Sequence, residues 1–144
     1  MSVKAQASGI IDHPVSKVFQ FHAVEHVQNH PRWDQYIQLD HLTDGPMGVG
    51  KMIKRVNSRS GKPVEGTMEV VEFEPDQAVT MLIHDGSVKL IARATYQAES
   101  GDRTRLTMKI EFPDLDEMDT DMLETAMQGS IRNINQLLTS ENST

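Results

Sequence analysis

Three histidines recur at four-residue intervals, His22, His26 and His30, and the first two bracket a glutamate in His22-Ala23-Val24-Glu25-His26. Two imidazoles one helical turn apart can hold a zinc ion while the glutamate acts as general base on a metal-bound water. That chemistry needs an uninterrupted helix and a third protein ligand. The same spacing also arises in an adventitious surface metal site or in a plain row of solvated histidines. The expectation is solvated histidines, with no metal and no cofactor.

Carboxylates form the second group. Glu69, Glu72 and Glu74 lie on or near one strand, with Glu72 and Glu74 on the same side, and could work as an acid/base pair if that side lined a pocket. Val71 and Phe73 hold the alternate positions, so the glutamates are expected to face water. Tyr36, His84, Arg93 and Tyr96 could orient or protonate a carbonyl. Of these Tyr96 shares the alternation of an apolar face, Arg93 has the opposite parity, and His84 precedes a turn. A structural role is the plain alternative for each. Lys51, Lys54, Arg55, Arg59 and Lys62 cluster in sequence; they could serve an anionic ligand group or simply balance an acidic surface.

Methionine is unusually prominent, with nine residues against four Phe, two Tyr and one Trp. Met52, Met68, Met81, Met108, Met118, Met122 and Met127 fall on expected strands or on the last helix. Flexible thioethers suit a pocket for variable ligands, and they equally suit a filled core.

The elements that position these groups are readable from turn chemistry and periodicity. Val3 to Ile11 reads as a strand that ends at Asp12-His13-Pro14. Proline suits a first helical position, so a helix is expected to start there, with Val15, Val18, Phe19 and Phe21 at helical spacing. A second short helix, Val24 to Asn29, is expected to stop because Pro31 disfavours a helical His30. Turn signals at Asp44-Gly45-Pro46, Ser60-Gly61-Lys62, Glu74-Pro75-Asp76, Asp85-Gly86 and Ser100-Gly101-Asp102 then separate short apolar runs up to Phe112. They predict an antiparallel meander, making about seven strands in all. Leu106, Met108, Ile110 and Phe112 alternate with Arg105, Thr107, Lys109 and Glu111; Leu90, Ala92, Ala94 and Tyr96 alternate likewise with Lys89, Arg93 and Thr95. A long helix over about 116–139 closes the chain. Its Leu123, Ala126, Met127, Ser130, Ile131, Ile134, Leu137 and Leu138 fall in one apolar arc, with acidic residues in the first turns.

Composition narrows the function. A formal charge of −7 over 144 residues argues against nucleic acid or an anionic membrane surface as partner. There is no cysteine, so disulfide and thiolate chemistry are excluded. Met1 to Gln6 lacks the apolar core of a signal peptide and no run is long enough to span a membrane, which makes a cytoplasmic location the default expectation. One domain, 1–144, is expected.

The order of strand, two short helices, meander and long terminal helix resembles the helix-grip fold of the START and polyketide cyclase/dehydrase superfamily (SRPBCC). Val18-Phe19 through Asn29-His30-Pro31-Arg32-Trp33-Asp34 looks like its helix-to-hairpin segment. Asp44-Gly45-Pro46-Met47-Gly48-Val49-Gly50 looks like its glycine-marked loop. Gly66 to Pro75 and Gly101 to Thr107 resemble its central strand and last hairpin. The resemblance implies an α+β fold in which a curved sheet grips the C-terminal helix around a cavity for an apolar or aromatic small molecule. It places a break between the short helices near Ala23, which removes the continuous helix that zinc catalysis needs. Pro31 then ends the helical pair, and Trp33 begins the first hairpin strand with its ring over one end of the cavity. Ligand-facing positions are expected at Trp33, Tyr36, Met68, Met81, Tyr96, Met108, Phe112, Met122, Ala126 and Met127.

Fold leaves function open. The first expectation is a binding or carrier protein for a hydrophobic molecule, lipid transport included. The second is a polyketide cyclase/dehydrase type of enzyme, with Tyr96 or His84 moving a proton. The third is a protein-interaction role that would need an exposed apolar patch on the outer side of the sheet. A homodimer is left open.

Overall fold

Val3, Ala5 and Ala7 alternate with exposed Lys4 and Gln6 along β1, Val3–Ile11, the strand expected from the sequence. The computed structural model describes residues 2–142; the expected domain of 1–144 and the reading of the N-terminus extend to Met1, Ser143 and Thr144, which lie outside the described residues. After α1, Val15–Phe19, comes a π-helical turn, Gln20–Val24, and then α2, His26–Trp33. The strands β2 (Ile37–His41), β3 (Met52–Asn57), β4 (Val64–Glu74), β5 (Ala78–Asp85), β6 (Val88–Ser100) and β7 (Arg103–Phe112) follow, and α3, Thr120–Asn142, comes last. The seven strands form one curved antiparallel sheet in the order β1-β7-β6-β5-β4-β3-β2. The meander therefore runs from β2 to β7, and β1 joins its far side.

Two local expectations are corrected. Pro31 does not stop the helix, since α2 runs through it to Trp33 and β2 starts only at Ile37. The helix gives up the bond that a residue-31 N–H would make, but Asp34 N still donates to His30 O at 3.0 Å, and the buried Trp33 ring anchors the last turn. Val71 is not a partner of Phe73 on the inner face: the register of β4 against β5 shifts between Val70 and Glu72, and Val71 is exposed. The extra residue of this bulge resets the alternation. Met68, Val70 and Phe73 thus join the core while Glu72 turns outward.

The helix α3 lies along β1. Met127, Ile131, Ile134 and Leu138 are buried, and Gly9 of β1 has no side chain where Ile131 arrives: a Cβ there would sit 2.8 Å from Ile131 Cγ2. Polar side chains of α3 also bond the open edge of β1. Gln6 N donates to Glu124 Oε2 at 3.1 Å, Asp12 N donates to Asn135 Oδ1 at 3.0 Å, and Gln128 Nε2 donates to Ser8 O at 3.3 Å. These bonds satisfy an edge that would otherwise invite pairing with another strand. Gly9→Ala is expected to destabilise the protein by about 1–3 kcal/mol through overpacking. Ile131→Leu, which moves the branch methyl away, should recover part of the loss in urea unfolding, and no recovery would place the clash elsewhere.

Candidate functional site

Phe21, His22 and Ala23 are all buried, because the π-helical turn is wide and directs three successive residues inward; its closing bond runs from Glu25 N to Gln20 O at 2.9 Å. The expectation of solvated histidines is thereby overturned. His22 and His26 are buried and His30 is half-buried. The signal was present in the spacing: Trp33 follows His30 by three residues, which puts an indole on the same helical face as the imidazoles.

Hydrogen bonds fix the protonation of two rings. His26 Nδ1 donates to the carbonyl oxygen of His22 at 2.8 Å, leaving His26 Nε2 as an acceptor. His30 Nδ1 lies 3.0 Å from that nitrogen and donates to it. At the inner end His22 Nδ1 meets the Tyr96 hydroxyl at 2.5 Å. His22 Nε2 has no partner, the one buried side-chain polar atom in that state among the described residues. The Trp33 ring stacks on His22, with centroids 5.1 Å apart, and on His30 at 5.0 Å. Phe19 meets Tyr96 edge-on at 5.1 Å and Phe73 at 5.2 Å.

Burial sets the charge of this group. Desolvation, then the neighbouring His26, push His22 down to about 3. Burial lowers His26 to about 4, opposed by its bond to the His22 carbonyl and aided by the Arg55 charge. Burial and the positive field of His26 and Arg55 hold His30 well below its ordinary value. Tyr96 is raised well above its usual value by burial. Near pH 7 the cluster is thus three neutral imidazoles and a protonated phenol. Among the described residues no group of three or more His, Asp or Glu side chains is arranged to hold a metal ion.

The other candidates separate cleanly. Glu72 lies on the outer face, where it accepts two bonds from Arg93, at 2.9 and 3.3 Å, and one from Thr80 Oγ1 at 2.6 Å. The Arg93 and Thr80 bonds lower its pKa, so it is a poor general acid. Glu74 and His84 are exposed. The basic cluster divides three ways: Lys51 is buried and its Nζ braces the β2–β3 loop through the carbonyls of Thr43 and Gly45, Lys54 faces solvent, and Arg55 points inward.

Trp33, Met68, Met81, Tyr96, Phe112 and Met127 are buried, and Met108 and Ala126 are partly buried. Two expected lining residues are not inside. Tyr36 is 40% exposed with the Arg59 guanidinium 4.8 Å above its ring, and Met122 is 70% exposed at the start of α3. A residue beside a turn and a methionine in a frayable first helical turn lack neighbours to bury them. The space between sheet and α3 is occupied by the apolar side chains of one core cluster. Two open depressions lie elsewhere, one beside Ser2–Lys4 and Asp116–Thr120, the other between Arg32 and the Asn133–Ser140 part of α3.

No family model matches the chain, and no curated protein matches it in sequence. Solved structures match its fold. Ginseng major latex-like protein 151 from Panax ginseng is 14% identical, with a TM-score of 0.78 over 94% of this chain and 97% of its own. Norcoclaurine synthase from Thalictrum flavum, solved with dopamine and hydroxybenzaldehyde, is 13% identical, with a TM-score of 0.73 over 97% of this chain and 88% of its own. The Staphylococcus aureus protein SA2116 is 9% identical, with a TM-score of 0.77 over 100% of this chain and 98% of its own. The chain has the helix-grip fold, as its resemblance to the START and polyketide cyclase/dehydrase superfamily implies.

Proposed function

We propose that the chain binds an apolar, partly aromatic small molecule carrying a hydroxyl or carbonyl group between the sheet and α3. The observation that carries this reading is the unpartnered His22 Nε2 beside the Tyr96 hydroxyl, deep in the interior. Leaving such an atom unsatisfied costs about 1–3 kcal/mol, and an oxygen of a bound ligand would remove that cost. Met68, Met81 and Met127 are the flexible side chains that would move aside to admit it. The similar fold of norcoclaurine synthase, solved with two aromatic molecules, supports the ligand class.

A second reading, an enzyme on the same site, is favoured by one observation. The Tyr96 hydroxyl and His22 Nδ1 form a hydrogen-bonded pair beside the unpartnered His22 Nε2, so a ligand carbonyl reaching that nitrogen would meet a chain of groups able to relay a proton. His84 drops out of that role because it is exposed. An interaction role through the outer face has less support: among the described residues that face carries Glu72, Arg93 and Lys54, with Val71 its one large exposed apolar residue within β4.

Titration of 2-naphthol, followed by Trp33 fluorescence, tests the binding reading. Saturable binding is expected, with Tm raised by about 5–10 °C at ligand a hundredfold above Kd. His22→Phe/Tyr96→Phe should weaken it about tenfold. Absence of saturation, together with no small molecule retained in native mass spectra, overturns the reading.

A further inference from the structure

Arg55 stands on the inner face of β3 and is only 7% exposed. Its Nε donates to Asp85 Oδ1 at 2.8 Å and its Nη2 to Asp85 Oδ2 at 3.2 Å, while Asn57 Nδ2 donates to the same Oδ2 at 3.0 Å. The remaining nitrogen, Nη1, reaches only the sulfur of Met68 at 3.9 Å. A thioether is a weak acceptor. One edge of a buried, permanently charged guanidinium is therefore aimed into the core with no oxygen to receive its protons.

We propose that Arg55 Nη1 is the receiving group for the carboxylate of an apolar monocarboxylic acid, whose body lies beside Met68 in the core. This rests on the binding reading above and names the charged end of its ligand. A single carboxylate matches the donors left on one guanidinium nitrogen. Asp85, held 2.8 Å from the same guanidinium, and the net charge of −7 oppose a phosphate or any other dianion. A carboxylate in this dry setting adds ion–ion attraction to the hydrogen bond, which its amide or alcohol, a neutral acceptor for the same guanidinium, cannot supply.

The test pairs 2-naphthoate with 2-naphthamide and decanoate with decanol, the two pairs separating an aromatic acid from a fatty acid. At least one acid is expected to bind wild type about tenfold or more tightly than its uncharged counterpart. In Arg55→Gln/Asp85→Asn, which keeps a hydrogen-bonded pair without charge, that ratio should fall to about one. In wild type the Arg55 side-chain NMR signals should shift with the acid and stay in place with the neutral molecule, a measurement that does not depend on the variant folding. Equal affinity of acid and neutral counterpart, or a ratio that survives the double substitution, overturns the Arg55 assignment while leaving apolar binding intact. If no member of either pair binds, the binding reading fails and the assignment with it.

Discussion

Acidification from pH 7 to 4.5 is expected to remove about 5 kcal/mol of stability, half from His22 and half from His26. Both rings are neutral in the folded state, with pKa values near 3 and 4, whereas in the unfolded chain each titrates near 6.5. The unfolded state therefore takes up protons first. Folded-state pKa values below the unfolded value give stability that is present above pH 6.5 and lost as pH falls towards 4 and then 3. His30, whose pKa is also lowered, acts in the same direction. Unfolding free energy from urea titrations should fall steeply with pH near pH 5, where the unfolded chain takes up a proton at each of the three histidines. In His22→Phe/Tyr96→Phe one of those protons drops out and the slope should ease by about a third. An unchanged slope would show that carboxylates, not the histidine row, govern acid unfolding. A loss of this size is a large part of the 5–15 kcal/mol that typical domains possess.

The second large effect is expected from Asp85→Ala. Its carboxylate is the partner of the buried Arg55, with side chains 9% and 13% exposed respectively. Removing it leaves a buried guanidinium whose one remaining hydrogen-bond partner is the Met68 thioether. Breaking a buried pair in this way costs about 3–5 kcal/mol. Arg55→Met/Asp85→Leu should be far milder, because it removes both charges and keeps apolar volume, and it is expected to lie within about 1 kcal/mol of wild type. Chemical denaturation of the two variants decides this. A double variant as damaged as the single one would mean that the pair matters for packing rather than for charge balance.

Much of the fold was legible because sheet and turn chemistry are local. The alternation of Leu106, Met108, Ile110 and Phe112 and the glycine-bearing turns correctly indicated the strands, and β1 has the bounds its residues suggested. The C-terminal helix begins at Thr120 rather than near Asp116, since acidic residues suit a helix start without specifying which turn is first. Trp33, Met68, Tyr96 and Met127 lie in the interior. Long-range facts were not legible. Nothing local announces that Val71 is the extra residue of a bulge, and Tyr36 could be known as exposed only once Arg59 was seen above it. The histidines were misjudged because polar residues at helical spacing read as a solvent face, although Trp33 on the same stripe argued otherwise. Arg55 sits among exposed basic residues in sequence, and only the strand register separates it from Lys54.

The wide turn Gln20–Val24 also makes the number of residues in this segment part of the design. An i to i+5 turn holds one residue more than an α-helical turn of the same rise. Deleting one residue there would leave an ordinary α-helical turn of the same rise, so His26, His30 and Trp33 would keep their azimuth while the inward run of Phe21, His22 and Ala23 was lost. Winding all five residues as α-helix would instead advance everything downstream by about 100°, the angle of one residue, and swing those imidazoles and the indole off the core. The wide turn is thus the device that absorbs one extra residue and keeps the stripe behind it in register.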